Sequence, residues 1–466
     1  MKEEVAITGS GRTAPELRGR TAIVLGYGKS GRAAAEMLGK EGALVRVTDA
    51  SSLEKLGVEA AAIPGGAQWI GSEDPSILKG ADLVVVSPGV PPRNPILRAA
   101  AARGTPVMSE LEIGWRMTKG PVIAITGTNG KTTTTELAGA IARAAGWNAI
   151  VAGNVGTPLT AFAGQTADVL VIEVSSFQLA YSESFRPEVG VILNLTEDHL
   201  DWHPDFDDYA KAKRRMFDHQ TSEDAACLPA FDVEIARRFA PISARLYHFG
   251  DDSFAGSGAF VRGSWVVVRR QGRETNIVRI AEWKLAGQHN RENLLAAVLS
   301  TSLAGIPPAA AAQAVSEFRS MPHRMEVVAE LNGVQWVNDS KSTNPGSLEK
   351  ALDPNVPTIL IAGGVTKGVD FRPLAETIAR GARLVLVIGE GAIDMERAWG
   401  RATPVVRAGT LENAVEIARR EALAGERVLL SPACASFDQF RNYAHRGDRF
   451  RELVLQTSAN RGGDGS

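Results

Sequence analysis

Lys131 and Thr132 close the stretch PVIAITGTNGKTTT, where an apolar, β-branched run stops at a glycine-rich turn. A strand ending in such a turn and running into a helix that opens at Lys131 or Thr132 brings backbone N–H groups to an anion. Gly127 and Gly130 permit the tight turn, and the helix dipole lies behind it. Lys131 adds a full positive charge and Thr132 a hard oxygen suited to Mg²⁺. Gly127, Thr128, Asn129, Gly130, Lys131, Thr132 and Thr133 therefore read as a polyphosphate cradle. The spacing departs from GxxxxGK[ST], because Ile125 rather than glycine stands five residues before Gly130. Two glycines at a strand–helix junction can serve the turn alone, but followed by Lys-Thr-Thr they point to a nucleotide.

Other polar residues stand at the ends of apolar runs. DVLVIEVSSFQ (168–178) places Glu173 at such an end, and VGVILNLTEDHLDWH (189–203) places Glu197, Asp198, His199, Asp201 and His203 just beyond another. In open α/β sheets the carboxyl ends of strands face the ligand crevice, so Glu173 and the TEDH cluster should converge on the phosphate loop, where Mg²⁺ would be held. Helix N-capping is the plainer role for Glu197. YAKAKRRMF (209–217) carries Lys211, Lys213, Arg214 and Arg215 on a short predicted helix, a pattern that is ordinarily a solvated basic face. In LAGQHNRENLLAAV the amides of Asn290 and Asn293 can dock a purine or a phosphate, or can cap the helix that follows.

Upstream, TAIVLGYGKSGRAAAEMLGKEGALVRVTD reads as strand, glycine turn, Ala-rich helix and strand. Gly26, Gly28 and Gly31 form GxGxxG, with Asp49 18 positions after the last glycine. This is close to the dinucleotide fingerprint, although a Rossmann-like unit with nothing at its turn would read the same way. DLVVVSPG (82–89) adds a loop at Ser87 fit to face a phosphate or sugar.

Positioning all of these needs several domains. The 466 residues exceed what one core organises, and three domains fit best. Strands alternate with helices in three stretches, the last beginning near Ser320 with GVQWVNDSKSTNPGS, PTILIAGGVTKG, RLVLVIGEGA and ERVLLSPACASFDQF. The expected class is α/β with parallel sheets whose loops carry Gly, Ser or Lys. SANRGGDGS reads as a frayed tail. A net charge of −2 gives no electrostatic case for nucleic acid or an anionic membrane. With no apolar run of membrane-spanning length and no secretory pattern in MKEEVAITGSGR, a cytosolic protein is expected. Cys227 and Cys434 form no ligand pattern, so neither a disulfide scaffold nor a zinc site is expected.

GTNGKTT, EVSS, NLTEDHLDWH, YAKAK, GQHNxxN, PHR, NDSKSTN, GGxxKG and SPACASFDQF, in that order, resemble the Mur ligases of peptidoglycan synthesis from about Ala22 to Leu453. SPACASFDQF resembles the D-glutamate-adding branch, and no DNPR motif follows GGVTKG. Two departures are small: about twenty residues precede the first strand, and the segment before Tyr209 is one residue shorter than in some relatives. The resemblance implies a Rossmann-like UDP-substrate domain (1–110), a central P-loop-type ATPase domain (111–320) and a Rossmann-like C-terminal domain for the amino acid (321–466).

The implied reaction is a phosphoryl transfer from ATP to UDP-N-acetylmuramoyl-L-alanine, then attack of D-glutamate on the acyl phosphate, within a monomeric enzyme and without nucleic-acid or membrane partners. Lys131, Glu173, His199, Lys213 and Lys341 would be catalytic. Thr132, Glu173, His199 and Lys213 would hold Mg²⁺, two ions in all, with Lys213 carbamylated. In that form Lys213 supplies an anion beside the metal, and the metal, Lys211 and Arg214 would keep its amine neutral enough to capture CO₂. Asn290, Asn293, Arg324 and Asp339 look like ATP contacts. Ser30, Asp49, Ser87, Asn154, Ser175 and Gln178 match the UDP-substrate side, and Lys341, Thr343, Lys367, Ser436 and Phe437 the D-glutamate pocket. Folylpolyglutamate synthases share the ATP loop but are not expected to carry the first domain. A nicotinamide-dependent dehydrogenase or dinucleotide sensor would use GYGKSG and leave GTNGKTT without a purpose.

Overall fold

The computed structural model describes residues 12–459 except positions 67, 155, 201, 231, 286, 320, 321 and 367. Lys367, Asp201 and the tail from residue 460 thus lie outside the described residues. Among the described residues, three sheets carry the chain. The first is parallel, formed by β1 (Thr21–Leu25), β2 (Leu44–Thr48), β3 (Leu83–Val86) and β4 (Val107–Ser109) in the order β2-β1-β3-β4.

The second sheet contains β5 (Val122–Thr126), β6 (Ala149–Gly153), β7 (Val169–Glu173), β8 (Val189–Ile192), β9 (Ala225–Pro229), β10 (Arg245–Gly250), β11 (Gly258–Arg262), β12 (Trp265–Arg270) and β13 (Arg273–Arg279). Its order is β13-β12-β11-β10-β9-β8-β5-β7-β6. β5 lies between β7 and β8, and the chain visits β6 and β7 on one side before crossing to β8 on the other. Loops leaving β5 and β8 therefore diverge over one crevice, the position where open α/β sheets bind ligands. Every residue of β5, β7 and β8 is buried, which is why these strands read as continuous apolar runs rather than as alternation. Helices Lys131–Ala144 and Gln288–Leu303 cover one face with Leu137, Ile141, Leu295 and Leu299.

The third sheet, β14 (Glu326–Leu331), β15 (Val334–Asn338), β16 (Thr358–Gly363), β17 (Ala382–Ile388), β18 (Val405–Gly409) and β19 (Arg427–Leu430), runs β14-β15-β19-β16-β17-β18. Only its β14–β15 pairing is antiparallel. The first two sheets belong to one compact unit ending at Phe318, and the third to a unit beginning at Arg319.

The residues ahead of β1 contribute an anchor. Arg12 donates to the carbonyls of Thr118 (2.9 Å) and Gly120 (2.5 Å), and its guanidinium lies over Trp115 and 4.0 Å from Glu188. It thereby pins the connection that leads into β5. Among the described residues, no helix is long and apolar enough to cross a membrane.

Candidate active site

Between β5 and the Lys131–Ala144 helix the backbone turns at Gly127 (φ 149°) and Gly130 (φ 86°). A Cβ on Gly130 would stand 2.2 Å from Asn293 Oδ1, so glycine there is required both by the left-handed backbone and by the amide pressed against it. Asn290 and Asn293 do not take the capping role that was their plainer alternative. Gly287 holds the N-cap position, and both amides lie buried inside the helix, joined by a 3.3 Å hydrogen bond. A second amide latches the loop from the other side: Asn194 Oδ1 accepts from Asn129 N (2.9 Å), and Asn194 Nδ2 donates to Asn129 O (3.0 Å). Lys131 Nζ donates to the carbonyls of Gly127 (2.9 Å) and Thr128 (2.8 Å), which keeps the cation over the loop.

At the end of β7, buried Glu173 accepts from Thr132 Oγ1 (2.7 Å) and from Asn154 Nδ2 (3.0 Å). A hydroxyl and a carboxylate this close, at the head of the helix after the loop, are hard oxygen donors that fit Mg²⁺. The TEDH segment comes to the loop through its backbone. Thr128 Oγ1 donates to Thr196 O (3.0 Å) and accepts from Thr196 N (3.0 Å). His199 has φ 57°, a half-exposed ring 4.7 Å from Phe177, and its Nε2 3.7 Å from Asp198. Among the described residues, no three His, Cys, Asp or Glu side chains gather as a metal cluster. Glu197 is exposed and caps nothing, because the next helix opens only at Phe206 with Asp205 as its N-cap.

That helix, Phe206–Arg214, is not a uniformly solvated basic face. Lys211 is exposed, but Tyr209 and Lys213, four residues apart, both point inward and are 1 % exposed. Lys213 Nζ donates to Gly127 O (2.9 Å) and to Thr126 Oγ1 (3.3 Å), and sits 4.6 Å from the Tyr209 ring centroid. Tyr209 in turn shares a 3.1 Å hydrogen bond with Thr128. Burial, then the charge of Lys131, holds the Lys213 amine well below the ordinary lysine range, against the pull of Asp198 and Glu173. Lys211 and Arg214 are not the cause: Lys211 faces solvent, and Arg214 is paired with Asp218 at 2.7 Å.

In the first sheet, the turn after β1 is held by its own carboxylate. Asp49 accepts from Tyr27 N (2.6 Å) and Ser51 N (2.7 Å), and Ser87 Oγ donates to Gly26 O (2.7 Å). Ser30 is the second residue of the Lys29–Lys40 helix that follows. Ser175 and Gln178 form a reciprocal capping box on the Ser176–Ala180 helix directly after β7, with Gln178 buried.

In the second unit, Asp339 follows β15 and accepts from Ser431 Oγ (2.9 Å) and Met325 N (3.1 Å); burial pushes its carboxyl up to about 7. Arg324 lies between two left-handed residues, His323 (φ 65°) and Met325 (φ 43°). Lys341 Nζ is 5.6 Å from the Tyr443 ring centroid, Thr343 is exposed, Ser436 is buried and Phe437 is 69 % exposed. Sequence reasoning missed Arg446. Fully buried, it donates to Ser340 Oγ (3.0 Å), Ser340 O (2.9 Å) and Cys434 O (3.1 Å), tying the loops after β15 and β19 together. Nothing in RNYAHRG distinguishes it from a surface arginine. Asn194 and Tyr209 were also missed, although both stand inside or beside the motifs.

Residues 20–109 match the Mur ligase MurD-like N-terminal domain, 125–301 the Mur ligase middle domain, and 323–434 the Mur ligase glutamate ligase domain. The chain belongs to the Mur ligase family. Among its relatives, the UDP-N-acetylmuramoylalanine--D-glutamate ligase of Geobacter metallireducens is 42% identical over 94% of this chain and 98% of its own. That of Syntrophotalea carbinolica is 40% identical over 96% and 99%. In fold the chain is similar to the MurF ligase of Thermotoga maritima in complex with ADP (TM-score 0.60, 15% identity, 99% of this chain and 100% of that one). It is also similar to the UDP-N-acetylmuramate-alanine ligase of the same organism (TM-score 0.59, 18% identity, 94% and 99%).

Proposed function

We propose that this chain is an ATP-dependent amide-bond-forming ligase that adds D-glutamate to UDP-N-acetylmuramoyl-L-alanine in the cytoplasmic steps of peptidoglycan synthesis. The observation that carries the chemistry is the Gly127–Thr132 loop, with Lys131 over it and Thr132 bound to Glu173. The substrate reading is supported by chain-length relatedness to D-glutamate ligases.

The amides of Gly127, Thr128, Asn129 and Gly130, the head of the helix at Thr132 and Thr133, and Lys131 bind and orient the β- and γ-phosphates, with Asn290 and Asn293 beneath. The substrate carboxylate attacks the γ-phosphorus, ADP leaves, and the D-glutamate amine displaces phosphate from the acyl phosphate, losing a proton. Thr132, Glu173, His199 and Lys213 would hold Mg²⁺, which supplies charge neutralisation at the transferring phosphoryl group.

Lys213 is carbamylated: its neutral amine adds CO₂ and releases one proton, leaving an anionic arm beside the loop. Ser30, Asp49, Ser87, Asn154, Ser175 and Gln178 serve the UDP-substrate within residues 1–110 and the adjoining part of 111–320. In residues 321–466 we assign Arg324 and Asp339 to the nucleotide, and Lys341, Thr343, Lys367, Ser436 and Phe437 to D-glutamate. Two lysines suit a dicarboxylate.

Phosphate release is the test. It should require ATP, UDP-N-acetylmuramoyl-L-alanine and D-glutamate together, and release driven instead by a folate with L-glutamate would overturn the reading. Lys213→Ala should lose most turnover, roughly 10²-fold or more. Short carboxylic acids should restore part of it by filling the anion position; full turnover of the variant would remove the carbamate.

A further inference from the structure

Trp202 and His203 lie between β8 and the Phe206–Arg214 helix, and no step above uses either. Both are buried, Trp202 at 8 % and His203 at 1 % exposure. Their N–H groups share one acceptor, His199 O, at 3.0 and 2.9 Å, so a single tight turn presents both rings. The two rings reach in different directions.

The Trp202 indole N–H crosses to the first sheet and donates to Val90 O at 3.1 Å. Val90 closes the turn that begins at Ser87, through Val90 N to Ser87 O at 3.1 Å. A Cβ on Gly26 would fall 2.9 Å from Ser87 Cβ and 3.0 Å from Val90 Cγ2, so this turn rests directly on the glycine turn after β1. The indole therefore holds the turn after β3, which rests on the glycine turn after β1.

His203 bridges two helices of the central domain. Its Nδ1 lies 2.7 Å from Asp208 Oδ2, in the first turn of the helix carrying Lys213, and its Nε2 lies 3.0 Å from Ser176 Oγ, at the head of the helix after Glu173. Serine, histidine and aspartate in this sequence of contacts have the connectivity of a hydrolytic triad. Ser176, however, is 2 % exposed at the head of a five-residue helix, with no approach for an acyl group. The hydrogen bonds serve to hold rather than to attack. The His203 ring also packs 5.3 Å from Tyr209, whose hydroxyl touches Thr128 of the phosphate loop and whose face lies under Lys213.

We propose that Trp202 and His203 are positioning residues that form one strut, joining the Ser87–Val90 turn of the first sheet to the helix that places Lys213 against the phosphate loop. Through it, the two substrate edges are held in register. The proposal rests on the reading of Ser87 and Lys213 as site residues for its kinetic consequence, but not for the coupling itself.

Hydrogen exchange on the full chain without ligand reads the coupling first. Trp202→Phe keeps a ring and loses the donor, and should speed exchange not only at residues 88–94 but also at 206–214, about 5-fold or more. His203→Ala should do the same in both segments, and the double variant should fall short of the product of the two effects. Effects confined to each residue's own side would overturn the strut.

Kinetics with ATP, UDP-N-acetylmuramoyl-L-alanine and D-glutamate read the consequence. His203→Ala should lower kcat about 10-fold with KM for ATP nearly unchanged, and Trp202→Phe should raise KM for the UDP-sugar several-fold. His203→Gln, whose side-chain amide can both donate and accept, should recover part of kcat. Where Lys213→Ala has lost turnover, unchanged kinetic constants in folded His203→Ala would also overturn the proposal. Lys213→Ala is the control that separates the two readings: if it turns over normally, the role of Lys213 fails, while hydrogen exchange still decides whether the strut couples the two segments.

Discussion

The turn after β1 and the turn after β5 share one plan, a buried strand, a glycine bend and a helix, yet the charge held beside each differs. After β5, Lys131 stands over the bend, two neutral amides latch it, and the nearby carboxylate of Glu173 is engaged by a hydroxyl and an amide. After β1, Asp49 itself takes the N–H of Tyr27, an amide that a phosphate would otherwise approach. A lysine over the bend favours a polyphosphate, while an acid beside it offers an acceptor to ligand hydroxyls and amides. Glycine spacing decides how closely the backbone can approach a ligand, and the charge beside it decides what approaches.

The largest effect should come from Lys131→Ala. It removes the charge that distinguishes the second bend, and should cost about 10³-fold or more in phosphate-releasing turnover while the thermal midpoint stays nearly unchanged. A folded variant with retained turnover breaks the comparison at its base.

Next come the glycines. Gly130→Ala forces a Cβ to within 2.2 Å of Asn293 Oδ1 at φ 86°, whereas a Cβ on Gly28, whose φ is −72°, meets nothing within 4 Å. Gly130→Ala should destabilise the protein by about 1–3 kcal/mol and lower turnover at least about 10-fold, and Gly28→Ala should fall within about 0.5 kcal/mol of the parent. Denaturant titration of both would show whether steric demand is as unequal as the two bends imply.

Much of this was legible from sequence because strands buried on both faces leave continuous apolar runs, and the polar residue ending each run marks the crevice. Glu173, the loop and the glycine bends were found in that way. Local reading failed where tertiary packing reassigned a polar residue. Asn293 resembles a cap but is driven into Gly130; Lys213 lies in a basic run but turns inward with Tyr209; Arg446 carries no local mark because Ser340, which takes two of its hydrogen bonds, stands 106 positions away. The β10–β13 extension of the central sheet was also not foreseen: β13 is largely exposed, so its apolar pattern is weak.

Ligand protection sharpens the comparison without mutation. If Asp49 fits the first bend for a UDP-sugar, UDP-N-acetylmuramoyl-L-alanine at about 100 times its Kd should stabilise the protein by about 2.7 kcal/mol. NADH should give none. The reverse result would return the first bend to a dinucleotide.

The smallest effect lies under the second bend, in Lys213. Its removal leaves no stranded acceptor, because Lys131 also donates to Gly127 O and Thr126 Oγ1 still donates to Val174 O. The desolvated amine is therefore a net cost to the ligand-free, CO₂-free protein. Its folded-state value is lowered from 10.5, so between that lowered value and 10.5 the unfolded chain binds more protons than the folded one, and parental stability must rise with pH across that window. Lys213→Met lacks this dependence. It should be more stable than the parent by about 1 kcal/mol near neutral pH, a shift of about 2 °C, with the gap closing as pH approaches 10.5. Lys29, exposed at the head of the first bend's helix, provides the control, since Lys29→Met should open no such gap. A Lys213→Met gap that stays constant with pH, or a variant less stable throughout, would mean that the amine is held by compensating contacts rather than tolerated for its chemistry.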